Sequence, residues 1–228
     1  MKRTIEPELL DDLPSTDARA IRSRKDLRQL NGFMRHASMF RKAFASKNKQ
    51  PPQYIIEICA GDGTMMLKLA EQTHTYWPRV HVTLVDRQRV IADKTLFRFH
   101  ELGWQVEVIT ADVFYWLPKA HRADMICANL FLHHFSDEQL TKIFSLLAAR
   151  TDLVVACETR RDWASLTVTR AFGLLGFSPV TQHDALASAR AGFIGDELST
   201  LWPNDGAWEL TERRAGIFTH LFIAQRKI

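Results

Sequence analysis

An alternation of short β-rich runs with helical stretches constrains the fold more than any other feature of this sequence. The β-rich runs lie at 54–59, 80–85, 105–109, 124–128 and 153–157. The helical patterns between them lie at about 64–72, 89–102 and 137–150. Strands that alternate with helices form a parallel sheet covered on both faces, and such sheets bind ligands at the carboxyl ends of their strands. We therefore predict an α/β protein with its site at that edge.

The two ends of the chain carry other patterns. Apolar residues repeat at helical spacing near the N-terminus and predict one amphipathic helix that ends at Pro51-Pro52. These residues are Leu27, Leu30, Met34, Ala37, Phe40 and Phe44. At the other end we predict a helix over 163–177, and a hairpin of strands 208–214 and 217–225 joined at Ala215-Gly216.

Composition excludes several classes of protein. Hydrophobic residues make up 46% of the chain, with 14 Phe and 6 Trp, so a sizeable core is expected. No apolar stretch approaches the ~18 residues that cross a bilayer, and the first residues turn acidic where a signal peptide would need an apolar core. The cysteines, Cys59, Cys127 and Cys157, lack C-x-x-C spacing, which disfavours disulfides and zinc. We expect a cytoplasmic protein.

Charge is unevenly distributed along the chain. Residues 1–50 hold twelve lysines and arginines against six acidic residues, whereas the remainder holds eighteen against twenty. The basic excess over 18–50 has two interpretations: an arm for nucleic acid, or the solvated face of the amphipathic helix. We favour the second interpretation and expect residues 1–50 to form a helical lid on a domain of residues 51–228.

The turn after the first strand is the most informative motif. It reads Glu57-Ile58-Cys59-Ala60-Gly61-Asp62-Gly63-Thr64, and its glycines allow backbone N–H groups to approach a ligand closely. A dinucleotide fingerprint would need Gly or Ala where Met66 stands. Asp86 ends the second strand, where a carboxylate can accept both hydroxyls of a ribose. Asp112 follows the third strand and suits an adenine amino group.

Together these residues resemble the class I S-adenosylmethionine-dependent methyltransferases over about residues 50–160. The resemblance implies a Rossmann-like, doubly wound, seven-stranded sheet with an antiparallel C-terminal hairpin. It implies S-adenosyl-L-methionine as cofactor and S-adenosyl-L-homocysteine as product. The cofactor-binding residues it implies are Glu57, Cys59, Ala60, Gly61, Gly63, Asp86, Arg87, Asp112, Val113 and Asn129. The family usually has Gly where this chain has Cys59.

Three histidines are candidates for a catalytic base. His133 and His134 directly follow the fourth strand, and His183 lies in a later insertion with Asp184 and Arg190. A hydroxyl acceptor needs its proton removed, and histidine titrates near neutrality. The alternatives are that one of the first pair caps the helix near Ser136 while the other packs, and that the insertion is an ordinary packed helix.

The absence of two motifs limits the classes of substrate that the chain is expected to methylate. The chain has Asn129-Leu130-Phe131 where nucleobase amino-methylating enzymes usually have Asn-Pro-Pro-Tyr, and it lacks the cysteine context of RNA cytosine methyltransferases. We predict metal-independent methyl transfer to oxygen of a small aromatic or polyketide-like acceptor. More faintly, the chain resembles small methyltransferases encoded beside polyketide or phenolic-lipid enzymes. The alternatives are an RNA methyltransferase that docks through 18–50 and a non-catalytic cofactor-binding scaffold. We expect a monomer or homodimer without membrane or nucleic-acid partners.

Overall fold

A mixed seven-stranded sheet forms the centre of the protein. The structure is a computed structural model and describes residues 1–47 and 50–227. The strands lie in the order β3-β2-β1-β4-β5-β7-β6. The first five along the chain are parallel, and β7 runs antiparallel between β5 and β6. This is the Rossmann-like α/β architecture with an antiparallel C-terminal hairpin that the sequence predicts.

The elements have the following bounds. The strands are β1 (Tyr54–Ile58), β2 (His81–Asp86), β3 (Gln105–Thr110), β4 (Met125–Asn129), β5 (Leu153–Thr159), β6 (Trp208–Arg214) and β7 (Thr219–Arg226). The helices are α1 (Leu9–Asp12), α2 (Ala18–Met34), α3 (His36–Lys47), α4 (Thr64–Thr73), α5 (Asp93–Glu101), α6 (Val113–Trp116), α7 (Asp137–Ala148), α8 (Trp163–Arg170) and α9 (Pro179–Ala191).

The two faces of the sheet are covered by separate apolar clusters. On one face, α7 packs with Phe144 and Leu147 beside Trp202 and Phe222. On the other face, α3 and α4 bury side chains that include Phe40 and Met66. The central strands β4 and β5 are buried on both sides because helices cover both faces, which explains their continuous apolar sequences.

The predicted leading helix is wrong in one respect, because it is two helices. Arg35 adopts a left-handed conformation with φ 58°, which ends α2 and redirects the chain into α3. The apolar stripe therefore divides: Ala37, Phe40 and Phe44 are buried in the core, whereas the α2 residues of the stripe are only partly buried. Helical periodicity continued across Arg35 and did not reveal the break.

Two other predicted helices are too long. The helix predicted from 89 begins at Asp93, after an extended stretch in which Gln88 donates its backbone N–H to Asp86. The helix predicted over 163–177 ends at Arg170 and is followed by a short 3₁₀ turn. Gly176, with φ 78°, lies in the turn that leads to the Ser178 cap of α9. Apolar residues in this turn follow helical spacing, and for this reason the sequence predicted a longer helix.

Within the described residues, the helices are all too short or too polar to span a membrane.

Candidate active site

A cavity of about 760 Å³ lies at the carboxyl ends of the parallel strands. The strand ends, residues of the N-terminal segment (residues 3–12) and residues of α2 all contribute to its lining. The predicted cofactor residues that line the cavity are Glu57, Cys59, Ala60, Gly61, Asp86, Arg87, Asp112, Val113 and Asn129. Parallel strands bring these residues together because their carboxyl ends meet at one edge.

The turn after β1 uses its two glycines differently. Gly61, with φ 54°, lines the cavity and donates its N–H to Asp86 Oδ2 at 2.8 Å. Gly63, with φ 72°, precedes α4, and an added Cβ would lie 3.2 Å from Leu84. Gly63 is not among the residues that line the cavity in the described part of the chain. Its requirement for glycine is therefore one of turn shape and packing.

The two carboxylates at the ends of β2 and β3 already organise the backbone around them. Asp86 accepts hydrogen bonds from the N–H groups of Gly61 and Gln88, each at 2.8 Å. Asp112 caps α6 by accepting from the N–H of Phe114 at 2.8 Å. Both residues line the cavity, and a carboxylate has enough lone pairs to accept from a ligand as well.

Glu57 is the unusual polar group of this wall. Its side chain is buried, and Oε2 has no hydrogen-bond partner among the described residues. Burial raises the pKa of this carboxyl well above its ordinary value, and the nearby Asp62 and Asp86 charges add to the effect. A buried oxygen without a partner is costly, so a hydrogen-bond donor from a ligand would stabilise this wall.

His133 follows β4, lines the cavity and lies between two carboxylates. Its Nδ1 is 2.7 Å from Glu158 Oε2, and its Nε2 is 3.3 Å from Glu8 Oε1. Burial alone would lower the pKa of His133, but the hydrogen bonds to Glu158 and Glu8 raise it to about 10. We conclude that His133 is an imidazolium at neutral pH and donates from both nitrogens.

His134 has the opposite protonation state. Burial and the adjacent His133 charge lower the pKa of His134 to about 4, so its ring is neutral at pH 7. Its Nδ1 lies 3.7 Å from Asp11 Oδ2, and both residues line the cavity. Partial burial and the neighbouring Glu8 charge raise the pKa of Asp11 to about 6. Ser136, and not either histidine, caps α7.

This cluster also offers atoms that could bind a metal. Glu8, His133 and His134 each place a ligand atom within 4.8 Å of the other two. The imidazole rings are stacked, however, with centroids 4.4 Å apart and planes at 29°. Their nitrogen lone pairs therefore do not converge on one point, as tetrahedral zinc coordination requires. The arrangement fits proton and hydrogen-bond chemistry better than metal binding.

His183 is not among the residues that line this cavity in the described part of the chain. Its side chain is 47% exposed, and Nδ1 lies 2.9 Å from Asp184. The other polar groups of α9 hold the N-terminal segment: Asp184 accepts from the N–H groups of Leu9 and Leu10, and Arg190 pairs with Glu6. The insertion therefore positions the segment that lines the cavity.

Comparison with known proteins agrees with this geometry. The profile of a methyltransferase domain family matches residues 55–151. Residues 55–151 form a class I methyltransferase domain. S-adenosylmethionine is the methyl donor of this class. A comparison with curated protein sequences gives no match.

Solved methyltransferase structures share the fold at low sequence identity. The plantazolicin methyltransferase BpumL, in complex with S-adenosylhomocysteine, aligns with a TM-score of 0.66 at 14% identity, covering 93% of this chain and 92% of that one. An O-methyltransferase family protein from Burkholderia thailandensis aligns with 0.60 at 17%, covering 93% and 61%. Magnesium protoporphyrin IX methyltransferase from Synechocystis PCC 6803 aligns with 0.55 at 14%, covering 96% and 91%.

The cofactor wall of this methyltransferase fits its donor chemically. An ammonium group placed at Glu57 would supply the donor that the buried Oε2 lacks. Asp86 and Asp112 offer carboxylate oxygens at the ends of the two following strands. The glycine turn leaves backbone close to the cavity, and nothing lies within 4 Å of the position of a Cβ on Gly61.

Sequence reasoning missed several residues of the methyltransferase site. His36 Nδ1 lies 2.6 Å from Asn129 Oδ1, and its Nε2 lies 2.9 Å from Thr219 Oγ1. Burial lowers the pKa of His36 to about 4, so a neutral ring fixes the orientation of Asn129. Glu8 and Asp11 lie in a segment without any motif. Glu158 was not missed in this way, because it directly follows the predicted fifth strand and so belongs to the residues expected at this edge of the sheet.

Proposed function

We propose that this methyltransferase acts on a hydroxyl oxygen of a small, largely apolar acceptor bound beside the cofactor wall. The observation that carries the proposal is the composition of the remaining cavity lining. Phe131, Phe135, Leu10 and Leu27 supply apolar surface, and the Glu8–His133–Glu158 cluster adds directed polar groups. Small-molecule sites combine these features. Solved methyltransferases of this fold include O-methyltransferase family members, which is compatible with an oxygen acceptor.

S-adenosylmethionine, when bound, supplies an electrophilic methyl group on a sulfonium. We propose that Glu57, Asp86 and Asp112 hold it through its amino, ribose and adenine groups. Methyl transfer is an in-line displacement, so the main task of the protein is to hold the acceptor oxygen against the methyl group. The N-terminal segment and α2 also line the cavity and would reduce the access of water to the acceptor. We propose that α2 is the lid expected for residues 1–50.

The choice of base follows from the protonation states. We propose His134, because its neutral ring can accept a proton at pH 7 while the His133 imidazolium already carries one. With Nδ1 toward Asp11, the accepting nitrogen would be Nε2. Proton transfer to a ring with so low a pKa is less unfavourable from a phenol or enol than from an aliphatic alcohol. The proposal therefore favours an acidic hydroxyl. His183 lies outside the cavity lining and has no part in this proposal.

The cofactor assignment can be tested by replacing Asp86. Asp86→Ala should weaken S-adenosylhomocysteine binding by about 1.5–3 kcal/mol, because charged hydrogen bonds to both ribose hydroxyls are lost. Isothermal titration calorimetry measures this change. Asp86→Asn is the matched control: it keeps the side-chain shape and one acceptor oxygen, so its loss should be smaller. Unchanged affinity in Asp86→Ala would remove this residue from the cofactor site.

The acceptor proposal can be tested by turnover. We expect phenols or naphthols, and not benzoates or anilines, to be methylated when the protein is incubated with isotope-labelled S-adenosylmethionine. His134→Gln should lower kcat by at least ~10² and leave S-adenosylhomocysteine affinity unchanged, because a positioned base contributes about that much. His183→Gln changes the same residue type outside the cavity and should keep full activity. If His134→Gln kept full kcat, His134 would not be the base, and catalysis would rest on the positioning of the acceptor alone.

A further inference from the structure

The N-terminal segment (residues 3–12) is fastened across the cavity by specific contacts. Arg3 donates to the carbonyl oxygens of Ala191 and Phe135 at 2.8 Å each, and its guanidinium lies 4.5 Å from the centroid of the Phe193 ring. The N–H groups of Leu9 and Leu10 donate to the Asp184 carboxylate at 2.8 and 3.0 Å. Backbone and side-chain bonds of this kind define a bound segment, not a loose terminus.

One carboxylate of this segment is held inside the cavity. The Glu8 side chain is only 14% exposed, and Oε1 contacts both His133 Nε2 and Ser188 Oγ. Burial alone would raise the pKa of Glu8, but the His133 contacts and the Ser188 hydrogen bond lower it to about 2. Glu8 is therefore a carboxylate under all ordinary conditions, and it lines the cavity.

His133, the partner of Glu8, is connected through Glu158 to the carboxyl end of β4. Glu158 accepts a hydrogen bond from His133 and also from the N–H groups of Phe131 and Leu132, at 2.9 and 2.8 Å. These two residues follow Asn129 and Leu130 at the carboxyl end of β4. The cluster thus connects the N-terminal segment to the strand end where the predicted cofactor-binding residue Asn129 lies.

We propose that Glu8 recognises the acceptor by accepting a hydrogen bond from its hydroxyl group in the bound complex, before the same proton passes to the base, an inference that rests on the proposed function. The structure pairs Oε1 with His133 and Ser188, and Oε2 is the oxygen that would take the acceptor. Recognition by a carboxylate also defines a chemical class. The Glu8 carboxylate would repel a carboxylate or phosphate placed directly against Oε2, whereas the Arg3 guanidinium donates to the carbonyl of His133 from outside the cavity lining. A neutral hydroxyl group can instead donate its hydrogen bond to Glu8 Oε2.

The test compares two probes that differ only in the donor. Phenol and anisole, its methyl ether, are titrated against the protein saturated with S-adenosylhomocysteine, and binding is followed by ligand-observed NMR. We expect the protein to bind phenol at least tenfold more tightly than anisole. Glu8→Gln should remove most of this preference and leave the Kd for S-adenosylhomocysteine within twofold. With a turnover acceptor, the same variant should raise KM more than it lowers kcat.

Two variants separate recognition from fastening. Asp184→Asn removes the charged acceptor of the Leu9 and Leu10 N–H groups but keeps Glu8 and its contacts with His133 and Ser188, so it should retain most of the preference for phenol. Asp137→Asn removes an equal charge from an exposed contact of Arg3 outside the cavity lining and should also retain it. Equal loss in Asp184→Asn and Glu8→Gln would mean that Glu8 only fastens the segment. No difference between phenol and anisole in the unmodified protein would overturn the proposal.

The outcomes also distinguish this inference from the proposed function. Methylation of phenols with no effect of Glu8→Gln on KM or on probe binding would reject Glu8 and keep the function. A preference for phenol that depends on Glu8, without methylation of any hydroxyl acceptor, would reject the oxygen acceptor and keep Glu8 as a donor-recognising residue.

Discussion

Cys59 and Leu130 hold backbone conformations that side chains rarely adopt, and both line the cavity. Cys59 has φ 55° and follows β1, while Leu130 has φ 53° and follows β4. The left-handed region costs a residue with a Cβ about 1–2 kcal/mol. Strain of this size persists where the surrounding structure enforces it, and it concentrates at functional sites. The positive φ at Cys59 explains why related methyltransferases usually have glycine there.

This strain predicts an ordering of two substitutions at Cys59. Cys59→Gly should be more stable than Cys59→Ala by about 1 kcal/mol, because alanine keeps the left-handed penalty and glycine removes it. Both variants lose the sulfur, so the comparison isolates the backbone term. Urea unfolding monitored by circular dichroism measures the difference. If alanine proved equal or better, φ at this position would not be the source of strain.

The N-terminal segment and the turn after β4 are joined by an ion cluster whose strength depends on pH. The folded pKa of His133, about 10, lies above its ordinary value of 6.5, so its stabilisation is complete below pH 6.5 and is lost as the pH rises toward 10. The folded pKa of Glu8, about 2, lies below its ordinary 4.5, so its stabilisation is complete above pH 4.5 and is lost in acid. Both contributions are present between about pH 4.5 and 6.5.

His133→Gln should therefore destabilise the protein most within that window. We expect a loss of about 3 kcal/mol in the free energy of unfolding near pH 6, because one partner of a buried ion cluster is removed. The loss should shrink as the pH approaches 10, where the unmodified protein also loses the charge. Urea unfolding at several pH values measures it, with the half-exposed His183→Gln as control. A loss independent of pH would mean that His133 contributes by packing alone.

Over the whole molecule, the basic excess of the first fifty residues is divided between two surfaces. Arg24 and Arg28 line the cavity, and Arg28 pairs with Asp62 at 2.7 Å. Arg22 and Lys25 lie on an exposed face of α2. Two of these cations therefore face the cavity, while others on α2 are exposed to solvent. This division favours α2 as a lid over the interpretation as a nucleic-acid arm.

The two interpretations predict different responses of the full chain. As a lid, α2 should exchange its amide hydrogens more slowly when S-adenosylhomocysteine binds, because Leu27 and Asn31 line the same cavity. RNA affinity should be weak at physiological salt and should fall steeply as salt is added. Hydrogen–deuterium exchange and a salt titration measure the two quantities. Tight, sequence-selective RNA binding with unchanged exchange in α2 would favour the arm.

Local sequence determined the order of the strands along the chain and the residues of the proposed cofactor wall. Strand patterns and glycine turns are short-range features, and parallel packing brings Glu57, Asp86 and Asp112 to one edge. Only tertiary structure decided which residues line the proposed acceptor side of the cavity. Glu8 meets His133 across 125 residues, and His36 meets Asn129 across 93. Such contacts depend on how α9 and the N-terminal segment pack together, and no spacing within either segment encodes that packing. The protonation states of the two histidines also depend on the tertiary structure. Burial and neighbouring charges, and not residue type, give His133 and His134 different pKa values.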